Sequence, residues 1–172
     1  MISFRSGHAL FAAVVLLLAH VPSASAADGL TPAEQQTLLN LHNSYRARHC
    51  APALAWSAEL AASAQEWASK CRITHGPRPR NQVGENLAWG YQRTAGNAVE
   101  AWYKEVSDYN YKSPGFASST GHFTQVVWKN TKQIGCGVAT CLWGSLRFWV
   151  CRYAPQGNWA GQFPQNVSQT CK

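Results

Sequence analysis

Apolar residues recur at intervals of three and four in several stretches of the chain, and this spacing predicts amphipathic helices. The first helix begins at residues 31–34 (Thr-Pro-Ala-Glu), where threonine caps, proline fits the first helical position and glutamate closes a capping box. It should run to about His49. A second helix opens at Ser57 and a third at Thr94, each a hydroxyl residue that can accept from free amides of a first turn.

A further helix is predicted over residues 121–130 (Gly-His-Phe-Thr-Gln-Val-Val-Trp-Lys-Asn). Its apolar residues share one helical face, so most of the helix should be buried. Thr120 or Ser119 is expected to cap its start. His122 would then lie in the first turn and look outward into a cleft. His42, by contrast, lies on the apolar face of the first helix, where we expect a structural role.

The second half of the chain has a strand pattern. Residues 134–139 and 146–153 read as two strands, and residues 143–145 supply the turn of a hairpin. A shorter extended segment covers residues 84–90. The proline-containing stretch 72–82 and the tail 155–172 show no helical period. Helices followed by a hairpin predict an α+β layered domain.

The first 26 residues resemble a secretory signal peptide. Arg5 supplies a positive charge, residues 9–19 form an apolar core, and Ala24-Ser25-Ala26 is an A-x-A cleavage site. The apolar core is too short for a membrane span. We therefore expect a signal peptide at 1–26 and one mature domain at 27–172, secreted to the extracellular space or, in a bacterium, to the periplasm. Asn166-Val167-Ser168 forms a glycosylation sequon for a host that glycosylates.

All six cysteines lie in the exported part of the chain. An even number in an oxidising compartment predicts three disulfides, among 15 possible pairings. A metal cluster is the alternative, and the lack of any C-x-x-C motif in the sequence disfavours it.

The formal charge is +7, and it falls to about +6 once Arg5 leaves with the signal peptide. A basic exported protein can contact anionic membranes or cell-wall polymers. The basic residues are scattered and no nucleic-acid-binding motif accompanies them, so we expect no nucleic-acid partner. Eight tryptophans indicate either a well-filled aromatic core or a shelf that binds carbohydrate or lipid.

Four ionisable residues lie where the predicted elements allow them to converge: His75, Glu85, Glu105 and His122. Two imidazoles can bind a divalent metal, each oriented by a carboxylate behind it. Alternatively, a carboxylate–histidine pair activates a water for hydrolysis. In a third, purely structural interpretation, the two glutamates hold backbone amides or histidine N–H groups and position loops.

Four segments together resemble the signatures of the CAP superfamily, which includes the cysteine-rich secretory proteins, antigen 5 and the plant pathogenesis-related class 1 proteins and is also called the SCP domain. They are His42-Asn43-Ser44-Tyr45-Arg46, Gly84-Glu85-Asn86-Leu87-Ala88, Gly121-His122-Phe123-Thr124-Gln125-Val126-Val127-Trp128 and Tyr153-Ala154-Pro155-Gln156-Gly157-Asn158. The resemblance implies a three-layer α–β–α sandwich with a small, mostly antiparallel sheet, stapled by disulfides, and it implies secretion.

The same resemblance implies a central cleft formed by His75, Glu85, Glu105 and His122. In the family the two histidines can hold zinc or another divalent cation weakly, which would make His75 and His122 the metal ligands. The family pattern also implies disulfides Cys71–Cys141 and Cys136–Cys151. These two bridges leave Cys50 and Cys171 to form a third.

Three functional hypotheses follow from the sequence. The first is a secreted binding module for a sterol, a fatty acid or another extracellular ligand, with a possible dependence on a divalent metal. The second is a metal-assisted, protease-like hydrolase, although the sequence has no G-x-S-x-G nucleophile motif. The third is a defence-type effector that acts through protein–protein contacts.

Overall fold

Helices and strands follow one another much as the hydrophobic pattern predicts. The computed structural model describes residues 29–79, 82–91, 93–142 and 144–171. The predicted signal peptide and the turn residue Trp143 lie outside the described residues. The helices are α1 (Pro32–Arg48), α2 (Ala58–Ala68), α3 (Ala95–Lys104), a 3-10 helix that continues α3 (Glu105–Asp108), α4 (Gly121–Val127) and α5 (Phe163–Asn166).

Four strands form one sheet: β1 (Ala55–Trp56), β2 (Gly84–Tyr91), β3 (Gln133–Cys141) and β4 (Leu146–Ala154). Their order is β1-β3-β4-β2. β4 pairs antiparallel with both β3 and β2, whereas the two-residue strand β1 runs parallel to β3. The sheet is therefore mostly antiparallel, and β2 lies at one edge.

The side chains of β4 point alternately to the two faces of the sheet, so the core has two layers. Phe148 and Val150 pack with α2 on one face of the sheet. Trp149, Cys151 and Tyr153 point to the other face, where residues of α1, α3 and α4 cover them. Because successive side chains of a strand alternate between faces, one apolar strand supplies both cores. The predicted α–β–α sandwich is thus confirmed.

Three disulfides join the described elements: two form the pairs that the resemblance implies, and the third joins the two cysteines that those pairs leave over. Cys71–Cys141 joins the loop after α2 to the end of β3, and Cys136–Cys151 links opposed residues of β3 and β4. Cys50–Cys171 ties the tail to the residues that follow α1.

The tail is more ordered than its composition suggests. It forms α5, a helix that the sequence does not predict, and Phe163 and Val167 are buried in the larger core cluster. Asn166 is buried too: its side-chain oxygen accepts from the amide of Asn130, and its nitrogen donates to the carbonyl of Gln162. The sequon at Asn166 therefore serves packing, and the folded chain does not display it.

Two polar residues of α1 are fully buried and have structural roles. His42 donates through Nδ1 to the carbonyl of Leu38, and its Nε2 accepts from the hydroxyl of Tyr153. Burial lowers the pKa of His42 to about 4, so the ring is neutral. Arg46 donates to four backbone carbonyls, including those of Val126 and Trp128 at the end of α4. The structural role expected for His42 agrees with these contacts, whereas the burial of Arg46 is not apparent from its sequence position.

None of the helices that the structure describes combines the length and the apolar character needed to cross a membrane.

Candidate functional site

Glu85 is the buried anchor of the first histidine–carboxylate pair. Its Oε1 accepts from Nδ1 of His75 at 2.8 Å and from the amide of Gly76 at 3.0 Å. Its Oε2 accepts from Nε of Arg152 at 3.2 Å, and Nη1 of Arg78 lies 3.5 Å from Oε1. Burial alone would raise the pKa of Glu85, but these hydrogen bonds and guanidinium charges outweigh it and hold the pKa below its ordinary value. Glu85 is therefore ionised at neutral pH.

The sheet register explains why Glu85 meets Arg152. The two residues lie directly opposite each other on β2 and β4, so their side chains share a face of the sheet. The loop that carries His75 crosses above them. A Cβ at Gly76 would lie 2.6 Å from the Trp67 ring and 2.8 Å from Nη2 of Arg152. Only glycine lets the backbone pass this close, and the passage presents His75 to Glu85.

Glu105 forms the second pair, with His122. Its Oε1 accepts from Nδ1 of His122 at 2.6 Å. Its Oε2 accepts from the backbone amides of His122 and Phe123, at 2.9 and 3.0 Å. These amides belong to the first turn of α4, where free N–H groups and the helix dipole favour a negative charge. Glu105 therefore caps α4 and orients its histidine at the same time.

The expected cap by Thr120 or Ser119 is wrong. Thr120 occupies the N-cap position of α4, but its side chain makes no capping hydrogen bond. The Thr120 hydroxyl donates to the carbonyl of Ala117 at 3.4 Å instead. Because Glu105 reaches the free amides from the 3-10 helix, the helix start has a tertiary cap that local sequence does not reveal.

The two histidines line one cavity of about 350 Å³, which we call the central cavity. Most of its lining residues are polar, and Phe116 is the large apolar one among those described; they are His75, Arg78, Gly84, Glu85, Asn86, Phe116, Ser118, Gly121, His122, Gln125, Gln156, Gly157 and Asn158. Glu105 does not line it and lies behind His122, beside a second cavity. The structure thus brings three of the four predicted residues to one cavity and places the fourth, Glu105, in contact with His122.

Amide side chains fix the cavity wall around His122. Nδ2 of Asn86 donates to the carbonyl of His122, and Nδ2 of Asn158 donates to the carbonyl of Gly121. Oε1 of Gln125 accepts from the amide of Gly157. These side chains hold the start of α4 against β2 and the tail, and their own polar groups are largely engaged.

Both imidazoles are oriented in the same way. An ionised carboxylate can only accept, so Nδ1 of His75 carries the hydrogen that is donated to Glu85, and the contact between His122 and Glu105 has the same geometry. No hydrogen-bond partner for Nε2 of either ring is found among the described residues. Each Nε2 is therefore free to bind a metal or to accept a proton. The described residues contain no group of three or more His, Cys, Asp or Glu that suits a metal ion.

Sequence reasoning missed Arg78 and Arg152 as parts of this site. Arg78 stands in the basic Arg-Pro-Arg cluster, which suggests only surface charge. Arg152 is the better signal, because it is a cation within an apolar strand and lies between two buried residues, Cys151 and Tyr153. A charge in such a position needs a buried partner, and Glu85 is that partner.

The amino-acid sequence matches a known family over most of the region that builds this site. The model of the cysteine-rich secretory protein family, CAP, matches residues 39–153. This chain belongs to the CAP family. The match includes all four residues of the two histidine–glutamate pairs, together with Arg78 and Arg152.

Relatives and solved structures of the CAP family agree with that assignment. Golgi-associated plant pathogenesis-related protein 1 of Homo sapiens is 44% identical over 138 residues, which are 76% of this chain and 89% of that protein. Protein PRY2 of Saccharomyces cerevisiae is also 44% identical over 138 residues, but this CAP chain spans only 40% of its length. The structure of BmVAL-1 superposes with a TM-score of 0.70 at 27% identity and covers 83% of this chain and 86% of that one.

Proposed function

We propose that this CAP protein is a secreted binding module whose central cavity holds a divalent cation, such as zinc, on Nε2 of His75 and Nε2 of His122. One observation carries the proposal: both rings line the same cavity, and each has its Nδ1 bound by a carboxylate. A histidine that binds a metal usually donates its other ring nitrogen in this way, which fixes the ring and strengthens the ligand.

Two histidines make an open and weak site. Positions that protein atoms leave unfilled can be taken by water or by oxygen atoms of a ligand. A bound cation would supply positive charge there to attract such a ligand. Arg78 lies beside His75 and adds a guanidinium on the same side of the cavity. We therefore expect ligands that present a polar or anionic group to the cavity.

Lipid ligands fit this proposal only through a polar head group. Phe116 is the one large apolar side chain among the described residues that line the central cavity, which gives little apolar contact to the ring system of a sterol or the chain of a fatty acid. An apolar portion would have to lie outside the cavity. Three disulfides and the predicted signal peptide support secretion, because such bridges persist in oxidising compartments.

Zinc titration by calorimetry on the mature protein tests the metal proposal. Wild type should bind about one equivalent, and the His75→Ala/His122→Ala double variant should bind none. Each single variant should lose most of the affinity, because one histidine alone makes a poor site. Glu66→Gln, which removes an exposed carboxylate paired with Lys70, serves as the control and should titrate like wild type.

Unchanged zinc binding in the double variant would refute the ligand assignment. The fold of each variant is checked by circular dichroism, so that a lost site is not confused with a lost structure. If wild type itself binds no divalent metal, the two histidine–glutamate pairs have a structural role only. The hypothesis of an effector that acts through protein–protein contacts then becomes better supported than the metal proposal.

A metal-assisted hydrolase is the second candidate, and the contact of Glu105 with His122 favours it. A carboxylate that fixes Nδ1 leaves Nε2 positioned as a general base. Zinc-dependent cleavage of a peptide or ester panel by wild type, abolished in His122→Ala, would establish this activity. Cleavage that survives His122→Ala would come from another source.

A further inference from the structure

The three disulfides differ in how far solvent reaches their cysteines. The bridge between β3 and β4 joins cysteines that are 2% and 0% exposed. Cys71 is exposed, but its partner Cys141 is only 3% exposed. Cys50 and Cys171 are both exposed. Among the described residues, this third bridge is therefore the one that a dissolved thiol can approach at either end.

Exposure at both ends matters because thiol–disulfide exchange needs a leaving group as well as an attacked sulfur. The attacking thiolate bonds to one sulfur, and the other sulfur leaves as a thiolate. Attack at Cys71 would release Cys141 as an anion within the core cluster under α2, where a charge loses its hydration. Attack at Cys50 or Cys171 releases an exposed anion instead. Exchange should therefore occur at the third bridge first.

The chain segments that carry the third bridge are cationic. Arg48 lies two residues before Cys50, and its carbonyl accepts from the amide of Cys171 at 2.7 Å. No Asp or Glu occurs in the sequence over residues 35–58 or 109–172. A nearby positive charge attracts the attacking thiolate and stabilises the thiolate that leaves. The charge around this bridge thus favours exchange.

The third bridge fastens the end of a tail that packs along the surface. α5 places Phe163 and Val167 in the larger core cluster. Beyond α5, the carbonyl of Ser168 accepts from Nδ1 of His49 at 2.7 Å, and the Ser168 hydroxyl accepts from Nζ of Lys129 at 2.7 Å. These contacts keep Cys171 near Cys50, so a bridge opened in the folded protein can form again.

The sheet and the central cavity are held independently of the third bridge. The other two disulfides fasten β3 to β4 and to the loop after α2. The tail residues that line the cavity have their own bonds to α4, because the amide of Gly157 donates to Gln125 and Nδ2 of Asn158 donates to the carbonyl of Gly121. Loss of the third bridge should therefore loosen residues 163–171 and leave the cavity wall in place.

We propose that Cys50–Cys171 is a reversible thiol-exchange site that a dithiol opens in the folded protein. One thiolate of the dithiol bonds to Sγ of one cysteine, and the S–S bond breaks. The other cysteine leaves as a thiolate and takes up a proton. The second thiol of the dithiol then attacks the mixed disulfide, so the dithiol is oxidised to a disulfide and both cysteines are reduced. The reduced chain carries two surface thiols and a loosened tail. Neither histidine–glutamate pair takes part, so the test is independent of the function proposed above.

Graded reduction of the folded mature protein tests the proposal. The protein is incubated with dithiothreitol without denaturant and quenched with N-ethylmaleimide, and the labelled cysteines are located by peptide mass spectrometry. Cys50 and Cys171 should be labelled together, about tenfold faster or more than the other four cysteines. Hydrogen exchange of this partly reduced protein should rise over residues 163–171 and stay unchanged in β2, β3 and β4.

Two arginine variants test the contribution of charge. Arg48→Gln should slow the opening of Cys50–Cys171 about threefold, because it removes the cation beside the bridge. Arg72→Gln removes an exposed arginine next to Cys71 and serves as the control. It should leave the rate of opening at Cys50–Cys171 unchanged.

Several results would overturn the proposal. Labelling of Cys71 and Cys141 before the third bridge would do so, as would equal rates at all six cysteines. Reduction that coincides with loss of the near-UV circular dichroism signal would show that no bridge exchanges in the folded protein. Unchanged hydrogen exchange in the tail after opening would show that the bridge does not restrain it. Equal rates in wild type and Arg48→Gln would contradict the electrostatic part of the argument.

Discussion

The two histidine–glutamate pairs contain the same functional groups and bring both histidines to one cavity, but they stabilise the carboxylate in different ways. The side chain of Glu85 is 0% exposed, and two guanidinium groups compensate its charge. The side chain of Glu105 is 19% exposed, and the amides of α4 compensate its charge. Glu85, within a sheet, accepts from the single loop amide of Gly76, so its charge also needs cations. A carboxylate at the start of a helix can instead accept from the free backbone amides of the first turn.

This difference has a consequence for the histidines. His75 is the more exposed ring, with 55% of its side chain accessible, whereas His122 has 35% and packs near the Trp102 ring. His75 depends on a loop that Glu85 holds in place, while His122 depends on a helix. We expect the first pair to control the stability of the fold and the second to control the geometry of the cavity.

The largest expected effect is that of Glu85→Gln. It leaves Arg152, whose side chain is only 7% exposed, beside a neutral amide. Loss of one partner from a buried pair costs about 3–5 kcal/mol of unfolding free energy, because the other charge stays buried without compensation. Urea denaturation measures the loss.

Two companion variants sharpen that result. Glu85→Gln combined with Arg152→Met removes both charges and should recover a large part of the loss. Glu66→Gln breaks an exposed pair of similar length, with Lys70, and should change stability little. If Glu85→Gln behaved like Glu66→Gln, Glu85 would not anchor the loop that carries His75.

The pH dependence of the unfolding free energy should distinguish the contribution of Glu85 from that of the buried histidines. His42 has its pKa lowered from 6.5 to about 4, so between these values only the unfolded chain binds its proton. Wild type should therefore lose about 3 kcal/mol of stability as the pH falls through that window. His49 has its pKa lowered in the same direction, mainly by burial, and adds to the loss.

Glu85 contributes at lower pH. Its pKa is held below 4.5, so its stabilisation is complete above 4.5 and disappears as the pH falls through the lowered value. Unfolding free energy measured against pH should show this second loss in wild type and not in Glu85→Gln. Equal acid sensitivity of the two proteins below pH 4.5 would contradict the ionised, compensated state of Glu85.

The smallest expected loss of stability comes from a change in the second pair, Glu105 and His122. Glu105→Gln keeps one acceptor oxygen but removes the charge at the start of α4, and it should cost about 1 kcal/mol. Thr120→Ala changes the residue at the N-cap position and should cost less, since that side chain makes no cap. Thermal denaturation compares the two. A larger loss in Thr120→Ala would show that the helix start depends on threonine after all.

Sequence reasoning found the members of the two pairs and expected the glutamates to hold histidine N–H groups or backbone amides, but it did not show which glutamate would meet which histidine. His75 and Glu85 are ten residues apart, one in a loop and the other in β2, and only the sheet register opposes Glu85 to Arg152. The capping of α4 by Glu105 is a tertiary contact between elements 17 residues apart. The helix and strand propensities of nearby residues carry no information on either contact.

Helices and strands were predictable where a regular pattern of apolar residues extends over many positions. α3 and the hairpin of β3 and β4 have strong patterns, whereas α1, whose buried residues are Leu38, His42 and Arg46, is marked mainly by the Thr31 capping box, which forms as expected. β1 has only two residues, too few for any alternation to show. α5 has four residues in a segment rich in Gly, Pro, Asn and Gln, so its burial of Phe163 depends on the disulfide-tied tail rather than on propensity.

The strand order β1-β3-β4-β2 also sets the sequence of events during synthesis. The first two strands made, β1 and β2, have no partner until the last two emerge, because each pairs only with a member of the later hairpin. Such non-local pairing is slow, and the unpaired segments stay exposed until it completes. His75 and Glu85 are made early but can be held in place only after Arg152 has been added. A nascent chain that stops short of β4 should therefore lack the central cavity entirely, however much of the helical part has already formed.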